Sequence, residues 1–256
     1  MATSARSWLL ALTLCLAACS SDRGESTNLF GPGVDEVILE VGYEAGAAPF
    51  DAYPRRDGSP WELLEDNLEA LFAQSTPRTL IVPKTLSEMQ VLGALSLGPD
   101  FTTSEILEIA AASRDIESTE SLRSFYIVFL DGFFEDQGVR QEQVLGVSIA
   151  DTGVIAMFKP VVGTSDDALS RFVEQTTVIH EIGHAVGLVD NGLPPASEHL
   201  DEENGAHCTN DRCVMYWLNE RVADAIRFAR ERLMGEDTVV FGQECLDDAH
   251  AAADAE

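Results

Sequence analysis

The stretch from residue 180 to residue 190, HEIGHAVGLVD, constrains this chain more than any other part of its sequence. On an α-helix, side chains four residues apart project from the same face, so His180 and His184 can hold one metal ion between them. Apolar side chains on the opposite face would pack the helix into a core and keep both rings in place. Those side chains are Val178, Ile182, Ala185, Val186 and Val189. The pattern predicts a buried helix with a zinc site on one face.

Glu181 stands next to the first of these histidines, where it is poorly placed to share the metal. Its carboxylate can instead reach a water molecule on the ion and accept a proton from it. We therefore expect His180 and His184 to be metal ligands and Glu181 to be the catalytic residue.

Gly187 predicts where this helix ends. It comes three residues after His184, where a chain that leaves the helix and turns beneath the metal needs a positive φ, which glycine adopts at little cost. The turn-forming pair Asn191-Gly192 follows. Gly187 therefore has an expected structural role.

HEIGHAVGLVD resembles the metzincin metalloprotease signature HExxHxxGxxH, with Asp190 in place of the last histidine. Residues 207–215, HCTNDRCVM, resemble the archaemetzincin run H-C-x4-C-x-M, although residues 190–206 stand before it as an insertion. In metzincins a methionine in a tight turn lies under the zinc site, so the resemblance places Met215 there. The later C-x-x-C of archaemetzincins is missing, so we expect one catalytic zinc ion and no second structural site.

The third metal ligand has several candidates. His207 is favoured, because the match to the archaemetzincin run begins with this histidine. Asp190 is the alternative, as in the snapalysin-like variant HExxHxxGxxD, and a carboxylate is a competent zinc ligand. His199 and Glu202 are further candidates, but the chain around Glu202 lacks the helical pattern on which gluzincin proteases carry a glutamate ligand.

Tyr216 is a candidate oxyanion donor by the same resemblance. Some metzincins place a tyrosine near the methionine turn, two residues after the methionine. Here the tyrosine follows Met215 directly, so packing at the rim of the site is the alternative role.

The resemblance implies a zinc-dependent metalloendopeptidase that hydrolyses peptide bonds of extracellular or periplasmic proteins with a zinc-bound water activated by Glu181. The alternative is a non-catalytic zinc-binding surface lipoprotein. Structural zinc sites are closed by four protein ligands, so three candidate ligands beside Glu181 favour the enzyme. A deformylase-type amidase would need an upstream cysteine ligand, and no cysteine lies between Cys19 and Cys208.

The first residues are typical of an export signal. Arg6 is the only charge in residues 1–18, and the apolar stretch of residues 8–18 is too short to span a bilayer. The sequence LAAC at residues 16–19 looks like a bacterial lipobox, which would leave Cys19 acylated as a membrane anchor. Residues 19–33 are expected to form a flexible tether without room for a prodomain. We therefore expect an exported bacterial lipoprotein at the outer membrane, the cell surface or the periplasm.

Charge and cysteine content add two expectations. The formal net charge is −28, with 44 acidic and 16 basic residues, which excludes nucleic acid as a partner and leaves a peptide or protein substrate. Because an exported site is oxidising, Cys208 and Cys213 are candidates for a disulfide, with Cys245 left over. We expect a monomer.

The remaining pattern predicts an α/β (α+β) fold that is metzincin-like. It has a twisted mixed five-stranded sheet, the active-site helix and a small irregular C-terminal subdomain with the methionine turn. One catalytic domain should cover residues 34–246, followed by an acidic frayed tail at residues 247–256. An edge strand, at residues 144–149 or 154–158, would bind extended peptide above the cleft. The other strands are predicted at residues 34–43, 78–83 and 125–130, and the helices at residues 61–74, 104–116 (with Ser104 as N-cap), 166–188 and beyond 219.

Overall fold

The middle of the molecule is strand β5 (Leu122–Leu130), whose last seven residues are all buried. A computed structural model describes residues 28–54, 57–93, 95, 98–216, 222–233 and 238–255. β5 is flanked by β1 (Glu36–Glu44) and β9 (Val154–Phe158), and both run parallel to it. All five residues of β9 are buried, as expected for an apolar strand covered on both faces.

The sheet is mixed because its last strand reverses direction. β8 (Gly146–Ile149) pairs with β9 antiparallel and forms one edge. At the other side, β2 (Thr79–Ile81) and β3 (Gln90–Leu92) pair in parallel with the first and last parts of β1. The five predicted strands all belong to this sheet. The predicted number was wrong by one, because β3 is too short to show a pattern in the sequence.

A small second sheet was not predicted. It contains β4 (Asp100–Phe101), β6 (Phe133–Asp136) and β7 (Val139–Gln141), in that order. β6 and β7 form an antiparallel hairpin, and a salt bridge of 2.5 Å joins Arg140 on β7 to Asp100 on β4. Strands of two to four residues are too short to give a periodic signal.

The helices pack where their apolar faces predict. α1 (Trp61–Leu71) buries Trp61, Leu64 and Leu68 and contacts the long helix α4 (Ala168–Ala185), which also contacts β8 and β9. α2 (Thr103–Ser113) contacts β9, and the short α3 (Lys159–Val162) follows β9 directly.

Two helix starts show their caps. Asp167 caps α4 by accepting the backbone N–H of Ser170. Thr102, and not the predicted Ser104, caps α2, because Thr102 and Glu105 form a capping box.

The C-terminal segment is helical where a frayed tail was predicted. After α5 (Val222–Leu233), the chain forms α6 (Gln243–Asp254). Cys245 and Ala249 are four residues apart and buried, together with Asp248. One face of this acidic helix therefore packs against the rest of the protein. The prediction that the fold stops at residue 246 is therefore wrong.

The predicted tether also ends earlier than residue 33. Phe30 is fully buried and packs against Phe72 at 5.1 Å between ring centroids. Arg78 donates to the carbonyls of Leu29 and Phe30. The predicted signal and Cys19 lie outside the described residues. Among the helices that the structure describes, none has the length and apolar character needed to cross a bilayer.

Candidate metal centre

Three histidine rings converge at the end of α4. His180 and His184 lie one turn apart on the helix, and His207 comes from the irregular segment that follows it. One ligand nitrogen from each lies within 4.8 Å of the other two. The ring centroids are 4.7 Å apart for His180 and His184, 5.4 Å for His180 and His207, and 5.0 Å for His184 and His207.

Backbone carbonyls fix two of these rings. His180 donates from Nδ1 to the carbonyl of Val214 at 2.7 Å, and His207 donates from Nδ1 to the carbonyl of Asn204 at 2.8 Å. Because a carbonyl only accepts, Nδ1 carries the proton in both rings, and Nε2 keeps its lone pair. This is the arrangement in which protein histidines bind metals.

The spacing of the nitrogens fits a zinc ion. The Nε2 atoms of His180 and His184 are 3.1 Å apart. A tetrahedral zinc ion with Zn–N distances of 2.0–2.1 Å would set two ligand nitrogens about 3.3 Å apart. Three imidazoles would hold such an ion and leave one coordination position open.

Glu181 lies between α4 and the edge strand. Its side chain is 4% exposed, and a Cβ placed on Gly146 of β8 would come within 3.1 Å of its Cγ. Glu181 and His184 line a cleft of about 470 Å³, together with residues of β8. The absence of a side chain at Gly146 therefore leaves room for the Glu181 carboxyl beside the cleft.

Met215 packs against α4 between His180 and His184. It is fully buried, and a Cβ on Gly183 would lie 2.3 Å from its sulfur. Gly183 sits between the two helical ligands, so only a residue without a side chain permits this contact. Sequence analysis overlooked Gly183, although a glycine inside a helix between two ligands is itself a signal of close packing.

The helix ends as Gly187 predicts. Gly187 has φ of +94°, its N–H donates to the carbonyl of His184 at 3.0 Å, and its carbonyl accepts from Leu193. Asn191 donates from its side chain to the same His184 carbonyl at 2.9 Å. These bonds close the C-terminal turn that carries the second ligand.

The other candidate ligands lie elsewhere. Asp190 is exposed, with φ of +60°, and is not part of the histidine cluster. Glu202 is exposed, and His199 belongs to a different buried group. Tyr216 is half-buried, and its N–H donates to the carbonyl of Cys213 at 3.1 Å.

The predicted disulfide between Cys208 and Cys213 is wrong. The three cysteines that the structure describes are buried and form no disulfide. The sulfurs of Cys213 and Cys245 are 3.5 Å apart, whereas an S–S bond is about 2.05 Å long. Cys245, expected to be left over, therefore lies with the other two.

The chain is similar to two solved structures at low sequence identity. No family model and no curated protein matches the chain. Among solved structures, archaemetzincin from Methanopyrus kandleri is 11% identical with a TM-score of 0.47, over 88% of this chain and 98% of that one. Archaemetzincin from Archaeoglobus fulgidus, complexed with malonate, is 16% identical with a TM-score of 0.44, over 83% and 99%. Both scores are below 0.5, so the functional argument depends on the residues of this chain.

Proposed function

We propose that this chain is a zinc-dependent metallopeptidase whose metal ligands are His180, His184 and His207. The observation that carries the proposal is the convergence of three imidazoles, two of them fixed by backbone carbonyls, beside the carboxyl of Glu181. A structural zinc site would be closed by a fourth protein ligand. Among the described residues, the metal-binding group at this place has three members.

A zinc ion held by these rings would supply a Lewis acid that polarises a scissile carbonyl and lowers the pKa of water. The ion's ligands need rigid support, which the carbonyls of Val214 and Asn204 and the side chain of Met215 provide. His180 is 2% exposed, so its ring is held away from bulk solvent. Of the three histidines, His184 lines the cleft, so we expect the open coordination position to face it.

Glu181 is the proposed general base. Its position on the ligand helix, next to His180 and beneath β8, places its carboxyl at the wall of the cleft. There it can accept a proton from the attacking water and pass it to the leaving nitrogen of the cleaved bond. A glutamine at this position keeps the shape of the side chain but cannot accept the proton.

The substrate is proposed to bind along the edge strand β8. β8 is the last strand of its sheet and lines the cleft with Gly146, Val147 and Ser148. An edge strand offers backbone N–H and C=O groups to an added strand, so an extended peptide can pair with it. Asn191, on the turn after α4, also lines the cleft.

We also propose that the enzyme is exported and lipid-anchored through Cys19, with extracellular or periplasmic proteins as substrates. The support is the sequence LAAC at residues 16–19 after an apolar stretch. Labelling of expressing bacterial cells with a palmitate analogue tests this, because the wild type should incorporate it and C19S should not. Equal incorporation in both would refute the anchor.

The test of the catalytic proposal compares wild type with E181Q, using a library of fluorogenic peptides. E181Q should retain the zinc content of the wild type and lose cleavage by at least a hundredfold, while the control E202Q, at an exposed loop position, should behave as the wild type. Equal cleavage by E181Q and wild type would refute the role of Glu181. Zinc-loaded wild type that cleaves no peptide would instead favour a non-catalytic zinc-binding lipoprotein.

A further inference from the structure

A second group of metal-binding side chains lies in the C-terminal part of the molecule. Donor atoms of His199, Cys208 and Cys245 all lie within 4.8 Å of one another, and all three residues are buried. The sulfur of Cys213 is 3.5 Å from that of Cys245. Cys213 therefore lies beside this group of three, in contact with Cys245.

Asp248 fixes the ring of His199 through Nε2, which leaves Nδ1 to interact with this group. Its Nε2 bonds to Asp248 at 2.9 Å, and the side chains of both residues are almost completely buried. Its Nδ1 is also buried and has no hydrogen-bond partner among the described residues. A buried ring nitrogen without a partner is costly, unless something is bound to it. A metal-binding histidine commonly hydrogen-bonds a carboxylate through the ring nitrogen that does not bind the metal.

Backbone N–H groups donate to two of the three sulfurs. The sulfur of Cys213 accepts backbone N–H groups from Gly242 at 3.0 Å and Met215 at 3.4 Å. The sulfur of Cys208 accepts the N–H of Asn210 at 3.4 Å. Hydrogen bonds to sulfur favour the charged form, which is the form that binds metals.

We propose that His199, Cys208, Cys213 and Cys245 bind a second, structural Zn²⁺ ion through three thiolates and the Nδ1 of His199. Four protein ligands of this type close a zinc site and leave no position for water. Binding would release the protons still held by the three thiols. The proposal does not depend on peptidase activity, because it uses none of the residues of the histidine centre.

This second site would position the ligands of the first. Cys208 directly follows His207, and Cys213 directly precedes Val214, whose carbonyl fixes His180. The N–H of Cys208 also donates to the carbonyl of Met215 at 2.8 Å. An ion on both cysteines would therefore hold the segment of residues 207–215 in place and join it to α6 through Cys245.

A disulfide between Cys213 and Cys245 is the competing arrangement. Forming it would need an oxidant that takes two electrons and two protons from the thiols, and it would lower the chain's mass by two hydrogen atoms and consume two of the sulfur ligands. It would leave Cys208 and the Nδ1 of His199 unexplained. Intact mass and thiol count separate the two arrangements.

The experiment uses the purified chain with both helical ligands of the first centre removed, H180A/H184A. Loaded with Co²⁺, it should bind one ion per chain and show a thiolate-to-cobalt charge-transfer band. Cys208, Cys213 and Cys245 should react slowly with a thiol reagent until a chelator is added. C245S in the same background should lose the ion and the band, and H199Q should weaken binding at least tenfold.

The absence of a cobalt thiolate band in the H180A/H184A variant would overturn the proposal, and so would a mass lower by two hydrogen atoms, which shows a disulfide. If C245S fails to fold, the wild type still decides the question, because it should contain two zinc ions per chain. One zinc ion per wild-type chain, with all three thiols reactive, would contradict the second site. Loss of peptide cleavage in H180A/H184A concerns the first centre alone.

Discussion

The sulfur of Met215 lies against the ligand helix at Gly183, where an added Cβ would come within 2.3 Å of it. The contact falls between His180 and His184, so it bears on the part of α4 that carries both helical ligands. The position of this methionine is therefore coupled to the geometry of the proposed zinc site.

G183A should destabilise the protein and disturb metal binding. The new methyl group would push Met215 or the helix aside, and overpacking of this kind typically costs about 1–3 kcal/mol. Denaturant unfolding and zinc titration measure both effects. G93A is the matched control, because a Cβ on Gly93 would meet nothing within 4 Å. Wild-type stability and zinc affinity in G183A would show that the contact is unimportant.

The third ligand can be tested by comparing H207N with D190N. His207 is buried with its ring fixed by Asn204, whereas Asp190 is exposed on the turn after the helix. H207N should weaken zinc binding at the histidine centre at least a hundredfold, measured by competition with a chelator. D190N keeps a residue that tolerates a positive φ and should bind zinc as the wild type does. The reverse result would assign the ligand to Asp190.

G146V should reduce cleavage more than it reduces stability. A Cβ at residue 146 would come within 3.1 Å of the Cγ of Glu181 and 3.0 Å of the sulfur of Met157, so the larger side chain would displace the carboxyl. We expect at least a tenfold loss of kcat with zinc content unchanged. G98A is the control and should retain activity, because a Cβ on Gly98 would meet nothing within 4 Å. Full activity in G146V would mean that Glu181 does not need this space.

Much of this site follows from the sequence because it is local. His180, His184, the proposed general base Glu181 and the glycine at the helix end all lie within one helix and its turn. Strands β5 and β9 were also predictable, since the last six residues of β5 and all of β9 are apolar.

What the sequence did not reveal depends on contacts between distant residues. His199 and Cys245 are 46 positions apart, and neither belongs to the motif that contains Cys208 and Cys213. Only the packing of α6 brings them together, and the acidic composition of that helix suggested a frayed tail instead. Gly183 and Gly146 likewise gain their roles from side chains of other elements.

Glu174 should make stability depend on pH. It bonds to Lys159 and accepts the N–H of Phe50 at 2.8 Å, and burial raises its pKa from 4.5 to about 6 despite the lysine. A carboxyl whose pKa is raised on folding binds more protons in the folded chain. Its contribution is therefore full below pH 4.5 and is lost as the pH rises through about 6.

The loss amounts to roughly 2 kcal/mol of unfolding free energy. Urea unfolding between pH 4 and pH 7 should show a decrease in the wild type that E174Q lacks. E174Q is also expected to be less stable near pH 7, where Lys159 would lose its charged partner. Parallel pH profiles for the two proteins would contradict the raised pKa.

The most direct test of the account is anomalous diffraction at the zinc edge from crystals of the zinc-loaded chain. The account predicts an ion bound by the Nε2 atoms of His180, His184 and His207, with a fourth position facing the cleft beside Glu181. An ion closed off by a fourth protein ligand, or one bound by Asp190 with His207 turned away, would contradict it.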